Sequence, residues 1–507
     1  MLKKNILFNF LGQSWTAILS LIFAPIYIKY LGIESYGLIG FFTILTSLFT
    51  IIDTGITPTI VREVAKYNAG IHKTEIIRDI LKTFEFYSLI LVLFFFGGFA
   101  LFSPFISNNW LKYNNLSPEI VTRAFSIMCL VTGLRFFEGF YRSVIIGFER
   151  QVLSNIIIII SSSVRNFGAL ILVSKISSNI DIFFIWQGVV SILTLIIFYT
   201  STYKLIPKSK RKNIISFSII KNSWNFASGM IGVTIISLIL TQSDKLLISK
   251  KLTLEYFGYY NIAFSSSSIL FSLIVPISQA MYPRFCNLYE SQKTKLFSHQ
   301  FHLSSQLVSI ISGSAFSVFF FYSNLILSLW LHNIKIVEQV EPIMKIMLLG
   351  NLLNGLNHIP HQAQLSHGWS RLAFYINCFA VIFYLPSMNW ALNNFGILGI
   401  AWSWVFLNLF YILFSANLMF FKILKSEKLK WYFNDIFLPI SFSFIIVYII
   451  KLILPNPIGL FYQLLTLVLC IFSSIFISIL VSCDIRLFFI KFVRLKLINS
   501  LNFKNAL

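Results

Sequence analysis

The sequence predicts an all-α, polytopic integral membrane protein with about fourteen transmembrane helices. Hydrophobic residues make up 57% of the chain and charged residues only 11%, whereas an ordinary globular domain is about a quarter charged. The mean hydropathy is +0.80. Fourteen apolar segments in 507 residues leave short loops, because one membrane-crossing helix needs about 20 residues. No room remains for a soluble domain.

The predicted spans follow one another along the whole chain. They run over 6–28, 36–58, 84–107, 121–146, 154–174, 182–202, 222–248, 258–282, 303–331, 341–365, 372–391, 396–420, 436–454 and 460–482. The longest loops on the predicted outer side, 108–120 and 331–341, hold about a dozen residues each. Such loops are too short for the extracytoplasmic catalytic loop of a membrane glycosyltransferase or polymerase. The pattern therefore favours transport over enzymatic chemistry.

Lysine and arginine are distributed unevenly between the two sides of the predicted membrane. Of 40 such residues, 27 fall on one side, seven on the other and six within spans. Loops rich in Lys and Arg stay in the cytoplasm, so both termini are predicted there, in a bacterial cytoplasmic membrane. The net charge of +22 then suits anionic lipid headgroups better than nucleic acid. The five cysteines show no metal-ligand spacing, and no cofactor is expected.

An internal repeat predicts how the spans are grouped. The stretches 31–37 (LGIESYG) and 252–258 (LTLEYFG) each open a span, and six spans separate them. The two copies therefore have the same orientation, related by an axis along the membrane normal. We predict two six-helix lobes around a central cavity, with two appended helices. The predicted segments are an N-terminal lobe (1–203), a basic cytoplasmic linker (204–221), a C-terminal lobe (222–421) and the extra helices with a basic tail (422–507).

Polar residues recur at intervals of three and four in several spans, so each set lies on one side of its helix. The sets are Asn9, Gln13, Thr16 and Ser20; Thr234, Ser237, Thr241 and Asp244; Asn261, Ser265, Ser268, Ser272 and Gln279; and Asn351, Asn354, His358, His361 and Gln362. One interpretation is hydrogen bonding between helices, at roughly 0.6 kcal/mol per contact. The content of Asn, Gln and His favours a water-filled cavity. The residues predicted to face a glycan are Gln13, Asn261, Gln279, Asn354 and His358.

Charged residues inside the spans indicate what the cavity holds. Arg135, Glu138 and Arg142 share one face of the fourth span, with Glu138 able to pair with either arginine. The other deep charges are Arg165, Asp244, Lys245 and Lys345. Five deep cations against two deep carboxylates predict an anion site, because unpaired cations at membrane depth are costly. Arginine suits a diphosphate, since its planar fork binds two oxygens at once.

Three of these charges allow a second role. Glu138 either clamps the arginines or carries a coupling ion, and Asp244 is the other candidate carrier. Lys345 is close enough to the outer end of its span to extend its ammonium group to the interface instead of binding substrate. We keep Arg135, Arg142, Arg165, Lys245 and Lys345 as the predicted diphosphate ligands.

Several motifs resemble the Wzx-type polysaccharide flippases of the MOP exporter superfamily. They are Asn9–Gln13 (NFLGQ), Tyr30–Gly37 (YLGIESYG), Asp53–Ile56 (DTGI) with Arg62-Glu63, Asp244-Lys245 and Gly396–Ala401 (GILGIA). The resemblance implies two six-helix lobes around a cationic cavity, with the last two spans outside the core and without deep charges. It implies transport of an undecaprenyl-diphosphate-linked oligosaccharide from the inner to the outer leaflet by alternating access, for O-antigen or capsule. A polysaccharide polymerase and a chain-length regulator would be the partners.

Three alternatives remain open at this level. A flippase for the peptidoglycan lipid precursor would use the same charges, because its substrate also carries a diphosphate. A cation-coupled multidrug exporter of the same superfamily is less compatible, since a net positive cavity repels cationic drugs. A polymerase is the alternative from a different class, and the short outer loops oppose it.

Overall fold

The computed structural model describes residues 2–206, 211, 214–215, 217–455 and 458–487, with the side chains of 2–7, 52, 217–230, 233 and 370 excepted. The chain forms two compact units, Met1–Asn261 and Ile262–Leu507. The first contains α1 (Leu2–Leu31), α2 (Ile33–Asn68), α3 (Thr74–Val92), a π-helical turn (Leu93–Gly97), α4 (Gly98–Leu101), α5 (Ser103–Asn109), α6 (Pro118–Gly147), α7 (Gln151–Lys175), α8 (Ile180–Leu205), α9 (Phe217–Lys251) and the first half of α10 (Leu254–Ser267).

The second unit continues α10 and is also helical. It contains α11 (Ile269–Glu290), α12 (Thr294–Phe321), α13 (Ser323–Leu331), α14 (Ile334–Ser366), α15 (Ser370–Phe410), α16 (Asn417–Lys422), α17 (Lys428–Lys430), α18 (Leu438–Ile453) and α19 (Leu460–Val481), with π-helical segments at Tyr411–Ala416 and Trp431–Phe437. The described residues form no strand beyond a single bridge between Lys112 and Thr253.

The predicted fold class, an all-α polytopic membrane protein, is confirmed. Eleven helices among the described residues are long and apolar enough to cross a membrane. One of them, Arg371–Lys422, has 52 residues and holds two predicted spans, which are separated at Gly396 by a backbone φ of +63°. The predicted spans 222–248 and 341–365 coincide with α9 and α14. Each of the fourteen predicted segments thus falls on helix.

The predicted domain limits remain predictions. The division between the two compact units falls after Asn261, inside α10, and not in the basic linker 204–221. Most of that linker, and the tail beyond residue 487, lie outside the described residues.

The two copies of the repeat pack against each other at the start of α2 and of α10. A Cβ atom on Gly37 would overlap the backbone oxygen of Leu254, and one on Gly258 would lie 2.6 Å from the oxygen of Ile33. When 31–37 is aligned with 252–258, Gly37 matches Gly258 and Ile33 matches Leu254. The two contacts are therefore equivalent. Both glycines let the helix backbones approach closely, as small residues do in membrane proteins.

Replacing Gly37 by alanine should destabilise the protein. The new methyl group has to displace the backbone of α10, and overpacking of this kind costs about 1–3 kcal/mol. We expect a lower melting temperature and less monodisperse protein after detergent extraction. Gly97→Ala is the matched control, because nothing lies within 4 Å of a Cβ at Gly97. Equal melting temperatures for the two variants would mean that the crossing is not tight.

The helix α6 carries the central charges of the first unit. It begins at Ser117, whose side chain accepts a hydrogen bond from the Ile120 N–H, with Pro118 in its first turn. Near its end, Val144 joins a buried apolar core with Ile60 of α2 and Leu81 of α3. This core fixes the end of α6 against α2 and α3.

Contacts in the loop before α6 show which helix ends lie together. The Lys112 ammonium donates to the backbone oxygen of Lys251, at 3.1 Å. The backbone N–H of Asn115 donates to Glu34 at the start of α2, at 2.8 Å. The start of α6, the end of α9 and the start of α2 therefore lie at one end of the unit, the predicted outer end.

A buried polar cluster ties α12 to the segment that precedes α18. The ring nitrogens of His302, which is 0% exposed, lie 2.5 Å from Asp435 and 3.0 Å from Glu427. Gln306 donates to Asp435 and to Asp484, at 2.9 and 3.1 Å. Burial alone would raise the pKa of Glu427, but hydrogen bonds led by the one from His302 lower it. Asp435, just before the predicted span 436–454, is fully buried, so this cluster anchors the start of the appended helices.

Candidate anion-binding site

Arg165 of α7 is paired with a carboxylate through one nitrogen, while its buried Nε atom has no partner among the described residues. Its Nη2 atom lies 2.6 Å from Oε1 of Glu138 on α6 and 3.0 Å from Oγ of Ser191 on α8. Both members of the ion pair are largely buried, at 16% and 12% exposure. Glu138, which the sequence allows to pair with either arginine of its own helix, pairs directly with Arg165 of the adjacent helix through one nitrogen.

Arg135 of α6 has neutral partners only. Its Nη2 atom donates to Oε1 of Gln187 on α8, at 2.8 Å. The guanidinium carbon lies 4.6 Å from the centre of the Phe42 ring on α2. An amide and an aromatic face both stabilise a cation without neutralising it. The charge of Arg135 thus stays available to an anion.

Arg142, two turns further along α6, makes no hydrogen bond to any described residue, and its buried Nε atom has no partner. Asp53 of α2 is the carboxylate on the neighbouring helix beside this part of α6, but the two groups form no direct ion pair. The carboxyl of Asp53 accepts a hydrogen bond from Thr57 on its own helix. It also faces Gly139, with Oδ1 3.9 Å from a Cβ built there. Arg142 therefore has donors to offer a ligand.

Asp53 is the residue that the sequence reasoning missed. It lies inside the predicted span 36–58 and should have been counted with the deep carboxylates. Glu341, which lies at the start of the predicted span 341–365, was omitted as well, although it pairs with Lys345. Glu85, inside the predicted span 84–107, has to be counted in the same way. Five deep cations then face five carboxylates, a net charge of zero instead of +3. The predicted excess of positive charge is therefore absent from this set of residues.

Asp244 and Lys245 lie apart from the arginines. They are six or seven residues from the end of α9 at Lys251, near the predicted outer end. Arg142 is 24 residues into α6, about 36 Å from the outer end at 1.5 Å per residue. Asp244 accepts a hydrogen bond from Tyr260 at 2.5 Å, which joins α9 to α10. The structure therefore does not bring Lys245 to the same place as Arg142.

Lys345 belongs to the second unit and is paired within its own helix. Its ammonium lies 2.9 Å from Oε1 of Glu341 and 5.6 Å from the centre of the Phe320 ring. Glu341 also accepts hydrogen bonds from Ser323 and Asn324. This network accounts for Lys345 without a ligand, and we leave it out of the proposed site.

Three of the five residues predicted to face a glycan make contacts between helices instead. Asn261 is buried and would overlap a Cβ on Gly40. Asn354 donates to Asn408 at 2.6 Å. His358 lies 3.4 Å from the Ser278 hydroxyl. Hydrogen bonding between helices, the alternative weighed for these stripes, accounts for Asn354 and His358. Asn261 donates to the Phe257 oxygen of its own helix and packs against Gly40.

The two glutamines of that set remain candidates. Gln13 of α1 and Gln279 of α11 are both exposed in their own units. On α1, Asn9 instead bonds to Gln151 and Asn155 of α7, so the polar residues of this helix serve two purposes. The exposed side-chain amides of Gln13 and Gln279 are free to contact a sugar, so both residues remain candidates for glycan binding.

Comparison with known proteins places the chain in a family. Residues 2–289 match the family described as "Polysaccharide biosynthesis protein", and residues 230–390 match MatE. A Shigella flexneri protein named "Putative O-antigen transporter" is 23% identical over 411 residues, which cover 79% of this chain and 93% of that protein.

Solved structures share the fold. The lipid II flippase MurJ in an inward closed conformation superimposes with a TM-score of 0.72 at 15% identity, over 94% of this chain and 98% of its own. An inward-facing multidrug MATE transporter of the MOP superfamily gives 0.64 at 13% identity, over 81% and 96%. The family match covers more than half of the sequence and agrees with the resemblance in the motifs. The chain therefore belongs to the polysaccharide biosynthesis protein family, within the Wzx-type group of the MOP superfamily, and is an integral membrane transporter and not an enzyme.

Proposed function

We propose that the protein moves an undecaprenyl-diphosphate-linked oligosaccharide from the inner to the outer leaflet of the cytoplasmic membrane by alternating access, for O-antigen or capsule synthesis. The observation that carries this proposal is Arg142, an arginine near the inner end of α6 whose guanidinium makes no hydrogen bond to the described residues. A buried guanidinium nitrogen without a partner needs water or an anionic ligand.

A diphosphate matches the two arginines of α6. Arg135 and Arg142 are seven residues apart, which is about 10.5 Å along the helix and nearly the same face. Two long side chains can converge from that separation on the two phosphates of one headgroup. Each guanidinium can bind two oxygens in parallel. Arg165, in contrast, already has a carboxylate at 2.6 Å and serves to position Glu138.

The polyprenyl tail and the glycan of the substrate are accommodated outside the arginine site. A polyprenyl tail stays in lipid, and Gln13 and Gln279, exposed in their units, offer amides to the glycan. The excess of Lys and Arg on one side supports cytoplasmic termini and loading from the inner leaflet. Outward movement of negative charge from a negative-inside cell gains roughly 2.3 kcal/mol per charge per 100 mV. The membrane potential then contributes to the direction of transport.

The name of the Shigella relative supports a surface polysaccharide as the product. Flipped units would next meet a polymerase and a chain-length regulator, the partners we propose. A peptidoglycan lipid precursor has the same diphosphate and would suit the same arginines, so the experiment must separate the two. A cationic drug is disfavoured by Arg135, whose direct contacts, Gln187 and Phe42, are neutral.

The deciding experiment is leaflet-resolved detection of undecaprenyl-linked glycan in a strain that lacks the gene. We expect completed repeat units to accumulate on the cytoplasmic face and surface polysaccharide to disappear. Accumulated peptidoglycan precursor with arrested growth would instead assign the second substrate. Repeat units that reach the outer face but are not polymerised would contradict transport as the function.

A further inference from the structure

Asp53 occupies an unusual position beside Arg142. It belongs to the part of α2 that faces α6, and its carboxyl is held by Thr57 one turn further along its own helix. Its Oδ1 atom lies 3.9 Å from a Cβ built at Gly139, one turn before Arg142 on α6, yet the carboxylate and the guanidinium form no ion pair. The opposite charges of Asp53 and Arg142 compensate each other across this gap, while the N–H groups of the guanidinium make no hydrogen bond to a described residue.

We propose that Asp53 is an internal counter-ion of Arg142 and takes up a proton when the substrate diphosphate binds that arginine. This inference rests on the proposed function, because it concerns the same arginine. It names Asp53, and not Glu138 or Asp244, as the carboxylate whose state changes with substrate.

The geometry distinguishes Asp53 from the other deep carboxylates. Glu138 is locked to Arg165 at 2.6 Å, and a pair this close must be broken before it can respond. Asp244 accepts the Tyr260 hydroxyl far from Arg142. Asp53 makes no bond to a guanidinium. When a diphosphate binds Arg142, Asp53 therefore loses only its electrostatic interaction with that arginine.

A diphosphate interacts with Arg142 more strongly than Asp53 does because it can reach the guanidinium directly. It brings two oxygens to the planar fork, and charge-assisted bonds of this kind are about twice as strong as neutral ones. Asp53 is restrained by Thr57 and does not make such bonds. Once the diphosphate is bound, the positive field of Arg142 is neutralised and a second anion lies close by.

An ionised Asp53 is then unfavourable. A neighbouring negative charge and the loss of the compensating cation both favour the protonated carboxyl. No other cation among the described residues takes over. On α6 the facing charge is Arg142 itself, on α3 Glu85 is bound by Lys82 at 2.5 Å, and on α9 the pair Asp244 and Lys245 lies toward the opposite end. The carboxyl therefore acquires a proton as the diphosphate arrives.

The same exchange resets the empty transporter. After the diphosphate leaves, Asp53 loses its proton and again compensates Arg142. The unloaded protein thus returns without an isolated cation at membrane depth, which would be costly. Removing the carboxylate should tighten binding but slow the return step.

The test is binding of geranylgeranyl diphosphate to the purified full-length protein in uncharged-lipid nanodiscs between pH 6 and 8. Uptake of one proton makes the affinity rise about tenfold per unit of falling pH, beyond the titration of the ligand itself. In Asp53→Asn we expect that dependence to be lost and the affinity at pH 8 to increase about tenfold. Asp181→Asn is the control, since Asp181 also pairs with an arginine of α6, Arg123, at 3.1 Å, but at the outer end.

The possible outcomes separate the two proposals. The same pH dependence in wild type and Asp53→Asn would overturn the inference and leave the diphosphate site standing. Failure of the wild type to bind the probe at any pH would contradict the proposed function itself. Weaker binding with a lowered melting temperature in Asp53→Asn would assign Asp53 a structural role only. In the expected case the turnover of Asp53→Asn falls while its apparent KM also falls.

Discussion

Replacing Arg142 by glutamate abolishes surface polysaccharide while the protein remains in the membrane at its normal amount. Hydrogen bonds to a charged group contribute roughly 1.5–3 kcal/mol, and a carboxylate in the same place adds repulsion. A loss of binding of at least 100-fold is expected. The measurement is surface polysaccharide by electrophoresis, with the protein quantified by immunoblot in the same membranes.

Two further variants make this result specific. Arg150→Glu reverses an exposed charge just before α7 and should leave export intact, which excludes a general effect of lost positive charge at the inner side. Arg142→Lys keeps the charge but not the fork and should retain partial export. Full export by Arg142→Glu would remove the observation on which the proposed function rests.

The second large effect concerns the buried pair of Glu138 and Arg165. Glu138→Gln leaves the Arg165 guanidinium without its carboxylate in a site where both side chains are largely buried. Removing one partner of a buried pair costs about 3–5 kcal/mol. We expect a strongly lowered melting temperature in detergent, together with reduced amounts in the membrane. Glu149→Gln, an exposed change at the end of α6, should have little effect.

A double variant tests whether the pair is structural. Glu138→Leu with Arg165→Met replaces both charges by apolar side chains, and such replacements are often neutral or stabilising. Recovery of the melting temperature in the double variant is the expected result. If Glu138→Gln alone were as stable as wild type, the pair would be solvated and not part of the buried framework.

The helical architecture could be predicted because each membrane span is recognisable from its own stretch of sequence. Hydropathy and loop charge are properties of short windows, and a bilayer leaves few structures other than helices. The repeat was also readable, since its two copies preserve a glycine seven residues into each stretch. These predictions needed no knowledge of which helices touch.

The partners of the deep charges could not be predicted in the same way. Glu138 lies three residues from Arg135 and four from Arg142, but it pairs with Arg165, 27 residues away, because α7 packs beside α6. Asn354 likewise finds its partner Asn408 across 54 residues. Periodicity shows which residues share a face of one helix, and it contains no information about the neighbouring helix. Asp53 was overlooked because it was read only as part of a family motif.

The reciprocal contact of Gly37 and Gly258 has a consequence for how this crossing tolerates substitution. In a symmetric homodimer, if residue i of one subunit contacts residue j of the other, residue j of the first subunit also contacts residue i of the second. The crossing of α2 and α10 has this property inside a single polypeptide, since Gly37 approaches Leu254 as Gly258 approaches Ile33. The crossing therefore has the self-complementary character of a two-fold interface, and a bulky substitution at either glycine should disturb it in the same way.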